Sequence, residues 1–461
     1  MKMTSFLRCH LFDPRKSLPA GRQAPDPFNP RSIGFIICSS SVFICVLLGF
    51  FIYFSEMKIL TLIIIIMSLS GIAIGRYPGL RMNRATISLV GATLLVVIGS
   101  ITLQQAYASI DFDTITLLLA MMIINVNLQI SGFFQLVMVK VITIARSPVQ
   151  LLVMIIIVSG SLSALFLNDT ICIMLTPLVA EIILTLKRNP IPYLIALAAS
   201  ANIGSTATIV GNPQNMLIGI SSKIGFSDFF FAQFPVALSG MLIAFVVIYI
   251  IYRKEFSSSW NSDLHSVSGA NVRLYKPLLR KSIFASVVML VLFFSGVSIP
   301  LAALTGASIL LITRRLKPQR VFTEIDWALL VFFSGLFIIT GALEASGLSK
   351  KLFTSIQPYV DQGMPALAFT SSLLSNLISN VPAVMLYRPI IPAYSDPHQA
   401  WLVLAMATTL AGNLTLLGSV ANLIVAESAR RKGIELSFTE YLKAGFPIAV
   451  ITICFGLLLL L

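Results

Sequence analysis

Long apolar runs recur along most of the chain, at 57–75, 85–103, 113–130, 148–167, 170–186, 192–220, 231–252, 281–295, 299–313, 327–345, 364–379, 382–394, 399–429 and 446–461. A run of about 20 apolar residues is the length of a helix that spans a bilayer. No single soluble core could bury this many. Composition agrees: 57% of the 461 residues are hydrophobic and 11% are charged, against about 45–50% and about 25% in soluble domains. The mean hydropathy is +0.93. The expected fold class is an all-α polytopic membrane protein, with the lipid bilayer as its solvent. Gly, Pro, Asn and Ser interrupt several runs. Broken backbone is tolerated at membrane depth only in protein or beside a cavity, so those interruptions mark where function is sought.

The formal charge of +14 does not point to nucleic acid. Lys and Arg sit in short clusters between apolar runs, the pattern that orients membrane proteins. Arg76 to Arg84, Lys140 to Arg146, Lys187 and Arg188, Arg253 to Lys281, Arg314 to Arg320, and Arg430 to Lys443 fall on one face, expected to be cytoplasmic. Lys58, Lys223, Lys350, Lys351 and Arg388 fall on the other. Cys9, Cys38, Cys45, Cys172 and Cys454 form no CxxC pair, and His10, His265 and His398 are scattered. Neither a disulfide framework nor a metal centre is expected. GxSxG and HExxH are absent, so an enzyme is not expected, and no cofactor is.

Residues 1–56 form a basic, Pro-containing lead (1–32) read as disordered, and an apolar segment (33–54). They read either as an extra N-terminal helix or as an extension ahead of a start at Met57. Behind them lies an internal repeat. Gly91 to Leu95 resembles Gly306 to Leu310, and FDTITLLLAMM from Phe112 resembles IDWALLVFFSG from Ile325. Asn168 with Pro177 matches Asn380 with Pro389, and GNPQNMLIG from Gly211 matches GSVANLIVA from Gly418. Phe226 with Phe234-Pro235 matches Phe438 with Phe446-Pro447. All five pairs keep their order. Each repeat then holds five transmembrane crossings plus one re-entrant helical hairpin, tipped by Asn168-Asp169 or Ser379-Asn380. An odd number of crossings makes the second repeat inverted. The expected organisation is 57–252 for the first repeat, 253–280 for a cytoplasmic linker and 281–461 for the second repeat.

Two polar islands stand out in each repeat: Leu167 to Pro177 and Ala201 to Asn215, then Ser379 to Pro389 and Ala411 to Asn422. An anion at the midplane must exchange its water shell for donors. Helix N-termini supply free N–H groups and a positive dipole end, and Asn, Ser and Thr add uncharged donors. Carbonyls freed at the breaks suit a coupling Na⁺. The candidate binding residues in the first repeat are Asn168, Asp169, Thr170, Asn202, Ser205, Thr206, Gly211, Asn212 and Asn215. In the second repeat they are Ser379, Asn380, Asn413, Thr415, Gly418, Ser419 and Asn422. Na⁺ candidates among them are Asn168, Asp169, Asn212, Asn380 and Asn422. Small residues alone would read as close helix packing, but packing does not call for five Asn. Asp169 is read as the acid near the midplane, either coupling Na⁺ or H⁺ or capping the helix that starts near Thr170. Glu181 and Glu427 read as interfacial, as do Asp111, Asp113, Glu324 and Asp326. Arg388 reads as snorkelling or anion-attracting.

At NDTICIMLTPLV, SANIGSTATIVGNPQNMLIG, SNVPAVMLYRPI and LAGNLTLLGSVANLIVAE the chain resembles the ion transporter superfamily of citrate transporter-like permeases, divalent anion:sodium symporters and arsenite permeases. The last string is similar to bacterial anion transporter members. The resemblance spans about residues 57–461. It implies two inverted repeats with paired hairpins, a site at tips and breaks, frequent sodium coupling, a bacterial inner membrane location, and often a homodimer with an elevator-like transport domain. Dicarboxylate symporters carry Ser-Asn-Thr at both tips. Here Asn168-Asp169-Thr170 and Ser379-Asn380-Val381 stand there, and Asn-Asp is more like the arsenite permease and sodium/proton antiporter branches. The expected function is secondary transport of a small inorganic or organic anion by alternating access, with substrate uptake or extrusion following a Na⁺ or H⁺ gradient. The alternative is a sodium/proton antiporter with no anion substrate.

Overall fold

A helix satisfies its own backbone hydrogen bonds, which is what a segment in hydrocarbon requires. Every regular element among the described residues is helical. The computed structural model describes residues 57–75, 80–257, 274–312, 317–347 and 363–461. The lead 1–56 with its expected helix, most of the expected linker, and Lys350 and Lys351 lie outside the described residues. Lys58–Leu461 forms one unit.

In the first half, α1 is Met57–Ile74. It is followed by α2 (Arg84–Val97), α3 (Leu103–Ser109), α4 (Phe112–Ser131), α5 (Phe133–Ile144) and α6 (Pro148–Leu165). Then come α7 (Asn168–Thr185), α8 (Ile191–Ser205), α9 (Pro213–Ser222) and α10 (Phe226–Ile251). A short α11 (Arg253–Phe256) precedes α12 (Lys276–Phe294), α13 (Ile299–Leu311), α14 (Pro318–Thr323) and α15 (Trp327–Ala345). The chain ends with α16 (Gly363–Ile378), α17 (Asn380–Tyr387), α18 (Pro397–Ala411), α19 (Val420–Arg430) and α20 (Phe438–Leu460).

Eight of the described helices are long and apolar enough to cross a membrane. Helix α10 shows what they are built for. Its most apolar window has a mean hydropathy of 2.5, yet only 28% of that window is buried. Leu242 and Ile250 point outward, which suits lipid and would be costly in water. The long runs 192–220 and 399–429 are each two helices, α8 with α9 and α18 with α19, separated by irregular backbone. The arms of the first hairpin, α6 and α7, each have 18 residues, long enough to cross. The tip between them is tied to the α8–α9 break: the Asn168 N–H donates to Gly211 O at 3.0 Å.

The helices sort into two packing groups, each drawn from both halves of the chain. In one, α2 lies along α15, α13 along α4, and α12 along α4 and α13. Small residues allow the α2–α15 approach: the Ser88 hydroxyl donates to Phe332 O at 2.9 Å, and a Cβ on Gly335 would land on Ser88. In the other group, α6 packs on α8, α16 on α18, α10 on α20, and α7 on α19. The two groups meet where α4 touches α9, α5 touches α7 and α15 touches α17.

The α6–α8 crossing is backbone against backbone. A Cβ on Gly204 would land on the carbonyl of Gly160. A Cβ on Gly160 would instead meet the flexible Met241 thioether first, which can move aside. Gly204→Ala is expected to cost roughly 1–3 kcal/mol and to lower the thermal midpoint of detergent-purified protein. Gly160→Ala should cost clearly less. Equal midpoints for both variants and wild type would show that this crossing does not limit stability.

Candidate functional site

Breaking a helix frees carbonyls and N–H groups that lipid cannot satisfy. In the first break, the Asn215 side-chain amide donates to Ser205 O and to Thr208 O, each at 3.1 Å. In the second, Asn422 donates to Gly412 O at 2.7 Å and to Thr415 O at 3.1 Å. The two asparagines reach back over the same spacing, ten and seven residues, to the corresponding carbonyls of their respective halves. The restarted helices are capped in parallel as well: Asn212 Oδ1 accepts from Asn215 N at 2.8 Å, and Ser419 Oγ from Ala421 N at 3.2 Å. Gly211 is required where the chain turns back, since a Cβ there would land on Ser205 O.

Asn202 joins these parts. Its Nδ2 donates to Asn413 Oδ1 at 2.9 Å and to Asn422 Oδ1 at 3.0 Å. Its Oδ1 accepts from Asn168 Nδ2 and from Ser419 Oγ, each at 3.1 Å. An Asn amide has two donors and two acceptor sites, so Asn202 is saturated. It ties the first hairpin tip to the second helix break. Asn212 donates to Ser205 Oγ at 2.9 Å, and Asn413 donates to Ala199 O at 3.2 Å.

Above this network lies a cavity of about 660 Å³. Four helix N-termini line it: Asn168 and Asp169 on α7, Pro213 and Gln214 on α9, Ser379 and Asn380 on α17, and Ser419 and Val420 on α19. The other packing group contributes Arg84 from α2, Asn125 and Gln129 from α4, and Glu324 and Asp326 ahead of α15. Asp169 lies inside α7, whose N-cap is Leu167, and its own first-turn N–H donates to Asn168 Oδ1 at 2.9 Å. The capping role considered for Asp169 is therefore not the one it plays. Among the described residues its carboxylate accepts no hydrogen bond. The charges that act on it are Arg84, attractively, and Asp326, repulsively.

Of the sequence-selected residues, Asn168, Asp169, Thr170, Ser379, Asn380 and Ser419 line the cavity. Asn202, Asn212, Asn215, Asn413 and Asn422 lie behind it, each at most 1% exposed, and brace it. Ser205, Thr206, Gly211 and Gly418 belong to the same buried breaks. Thr415 donates to Asn376 Oδ1 at 3.2 Å, away from the cavity. Ser379 turns the second tip with a φ of 82°, left-handed backbone that a non-glycine residue adopts at a cost. Glu181 pairs with Lys432 at 3.3 Å at the surface, and Glu427 pairs with Arg430, as solvated ends would. Arg388 ends α17 and does not line the cavity.

Among the cavity groups not legible as such in the sequence are Arg84, Asn125, Gln129, Gln214, Glu324 and Asp326. Arg84 looked like one more loop cation, and the two acids like interfacial charges. Asn125 had a signal, because Asn125, Asn127 and Gln129 are three amides inside the otherwise apolar α4.

A citrate transporter family model matches residues 60–411. The silicon efflux transporter LSI3 of Oryza sativa subsp. japonica is 31% identical over 450 residues, covering 82% of this chain and 93% of that protein. The putative transporter arsB of Dictyostelium discoideum is 28% identical, covering 82% and 87%. A 46 kDa membrane protein of Mycobacterium leprae is 29% identical, covering 81% and 92%. Among solved structures, MtrF of Neisseria gonorrhoeae, described as illuminating a class of antimetabolite efflux pumps, superposes with a TM-score of 0.56 at 14% identity, covering 88% and 94%. The YdaH transporter of Alcanivorax borkumensis gives 0.51 at 14%, covering 88% and 97%. At that identity the two structures speak for the fold alone.

The saturation of Asn202 yields a test. Asn202→Leu strands four polar groups and should destabilise the protein by on the order of 2–4 kcal/mol, read as a lowered thermal midpoint. Asn380→Leu, which removes one acceptor for Ser375, should lower it far less. A midpoint for Asn202→Leu at or above that of Asn380→Leu would refute the bracing role.

Proposed function

The chain belongs to the citrate transporter family, and on that premise we propose a secondary transporter for a small, hydroxylated weak acid, with Asp169 taking up and releasing a coupling proton. It is an integral membrane protein, and neither its family nor the matched structures are enzymes.

The charge complement of the cavity carries the proposal. Each helix N-terminus is worth roughly half a positive charge. Four of them with Arg84 supply about three, and Asp169, Glu324 and Asp326 oppose them with about as much. A trivalent citrate would add charge that nothing in the cavity compensates. An uncharged acid, leaving in exchange for a proton, would not. The relative from Oryza sativa subsp. japonica is named for silicon efflux, and silicon in neutral water is the uncharged tetrahydroxy acid. The donors at Arg84 and Asn380 and the acceptor at Asp169 suit such hydroxyls on both counts.

Proton coupling is favoured over Na⁺ by the use already made of the break carbonyls. Ser205 O, Thr208 O, Gly412 O and Thr415 O each already accept from an asparagine amide, which leaves them less electron density to offer a bound Na⁺. The cavity runs from the hairpin tips toward Gly75, Arg84 and Glu324, at the end where basic residues concentrate. By the charge bias of membrane proteins we take that end as cytoplasmic, the conformation as inward-facing, and the membrane as a bacterial plasma membrane. A second reading, Na⁺/H⁺ exchange without a solute, draws on the same three carboxylates, but it leaves Arg84 and the four N-termini without a use.

Proteoliposomes loaded with orthosilicic acid or arsenous acid at pH 7.5 and diluted into pH 6 should lose solute faster than without the gradient. Replacing Na⁺ by choline should change nothing. Asp169→Asn should reduce the response to the pH gradient at least tenfold. Solute-independent proton release on adding Na⁺, with no movement of either acid, would establish the exchange of cations instead.

A further inference from the structure

Several side-chain atoms among the described residues are buried without a hydrogen-bond partner, including Asn125 Oδ1, Asn127 Oδ1, Ser163 Oγ and Gln233 Oε1. Of all such atoms, Asn125 Oδ1 alone belongs to a residue that lines the cavity. Asn125 is 1% exposed. Its Nδ2 donates to Thr170 Oγ1 at 3.4 Å, which turns the amide so that its nitrogen faces the hairpin tip and leaves the oxygen without a donor. A buried carbonyl oxygen kept without a partner is costly, and such groups call for an explanation.

We propose that Asn125 is a solute ligand: its Oδ1 accepts a hydrogen bond from a hydroxyl of the transported acid, so that α4 holds the solute together with α7 and α17. The inference rests on the functional reading above and names a residue of the same site. The ligand it requires must keep at least one hydroxyl hydrogen, because a fully deprotonated oxyanion offers Oδ1 nothing. Asp169, one residue before Thr170 at the hairpin tip, has a carboxylate that is likewise an acceptor without a donor. The two acceptors belong to different packing groups, Asn125 to that of α2, α4 and α15, and Asp169 to that of α7, α17 and α19. A solute that satisfies both bridges the boundary between the groups.

A purely structural role for Asn125 would lie in its N–H bond to Thr170, and three variants separate the two roles. Asn125→Leu removes both donor and acceptor. Asn125→Asp keeps an acceptor and loses the donation. Thr170→Val removes the partner of that donation and leaves Asn125 Oδ1 in place. The readout is the half-saturation concentration for orthosilicic acid in proteoliposomes of the full chain at pH 6. Size-exclusion profile and thermal midpoint report folding. For a solute ligand, Asn125→Leu should raise half-saturation about tenfold, while Asn125→Asp and Thr170→Val stay within about threefold. Half-saturation within twofold of wild type for Asn125→Leu would overturn the proposal. So would equal losses in all three variants, which assign Asn125 to the Thr170 bond. If Asn125→Leu does not fold, the other two decide alone: both retained supports the ligand role, both lost overturns it. A wild-type protein that moves neither orthosilicic nor arsenous acid would overturn the functional reading itself, and this inference with it.

Discussion

Backbone polar groups freed inside hydrocarbon are the constraint on which the rest of this protein depends. Two helices are broken so that the N-termini of α9 and α19 join those of α7 and α17 at one cavity, and each break exposes carbonyls that water would otherwise satisfy. Asn215 and Asn422 resolve this in the same way, each reaching back across its break to two carbonyls. Once that is done, the N-termini of α9 and α19 are free to face the cavity rather than the lipid. The repetition of this staple in both halves matches the correspondence between GNPQN and GSVAN in the sequence. A shared physical problem, and not merely shared apolar composition, underlies the likeness of the two halves.

Asn202 extends the same logic between the halves. By using all four of its hydrogen-bonding positions, it locks Asn168 at one tip to Ser419, Asn413 and Asn422 at the opposite break. Polar networks in a low-dielectric interior are stable only when every member is satisfied. A network this complete favours one arrangement of α7, α8 and α19. These helices therefore form a unit that keeps its internal geometry, with the cavity on the face it presents to α2, α4 and α15. That is the arrangement a carrier needs if one group of helices moves past another.

Much of this was legible in the sequence because lipid imposes strong rules. Apolar length located the helices, and Gly, Pro and Asn within apolar runs located the breaks. Three of the four strings that carry the family resemblance lie within the residues that the family model matches, and the fourth begins where that match ends. Roles inside the polar islands were less legible. A string such as GNPQN does not say which amide faces a solute and which staples a carbonyl, since both uses need the same chemistry. Asn202 and Asp169 look equally functional in sequence, and only three-dimensional placement separates a saturated brace from an open carboxylate. Arg84 and Asp326 were obscured for another reason. They stand at the starts of apolar runs, where charges normally meet water, and only the packing of α2 against α15 carries them to a cavity that reaches the hairpin tips.

That placement has a consequence for coupling. In the proposed cycle, Asp169 travels with the helices bonded through Asn202, whereas Arg84 and Asp326 belong to the group around α2 and α15. Separating the groups takes Asp169 away from the guanidinium that attracts it. An ionised carboxylate moved without its partner carries a desolvation cost that a neutral one does not. The empty, ionised carrier is then held beside Arg84. A carrier with Asp169 protonated has lost the attraction that holds it, and so has one whose solute occupies the space between the two charges. Coupling between solute and proton then follows at Asp169, the group that meets both. It requires only that Arg84 and Asp169 lie on opposite sides of a moving boundary and that the remaining charge of the site stays close to balance.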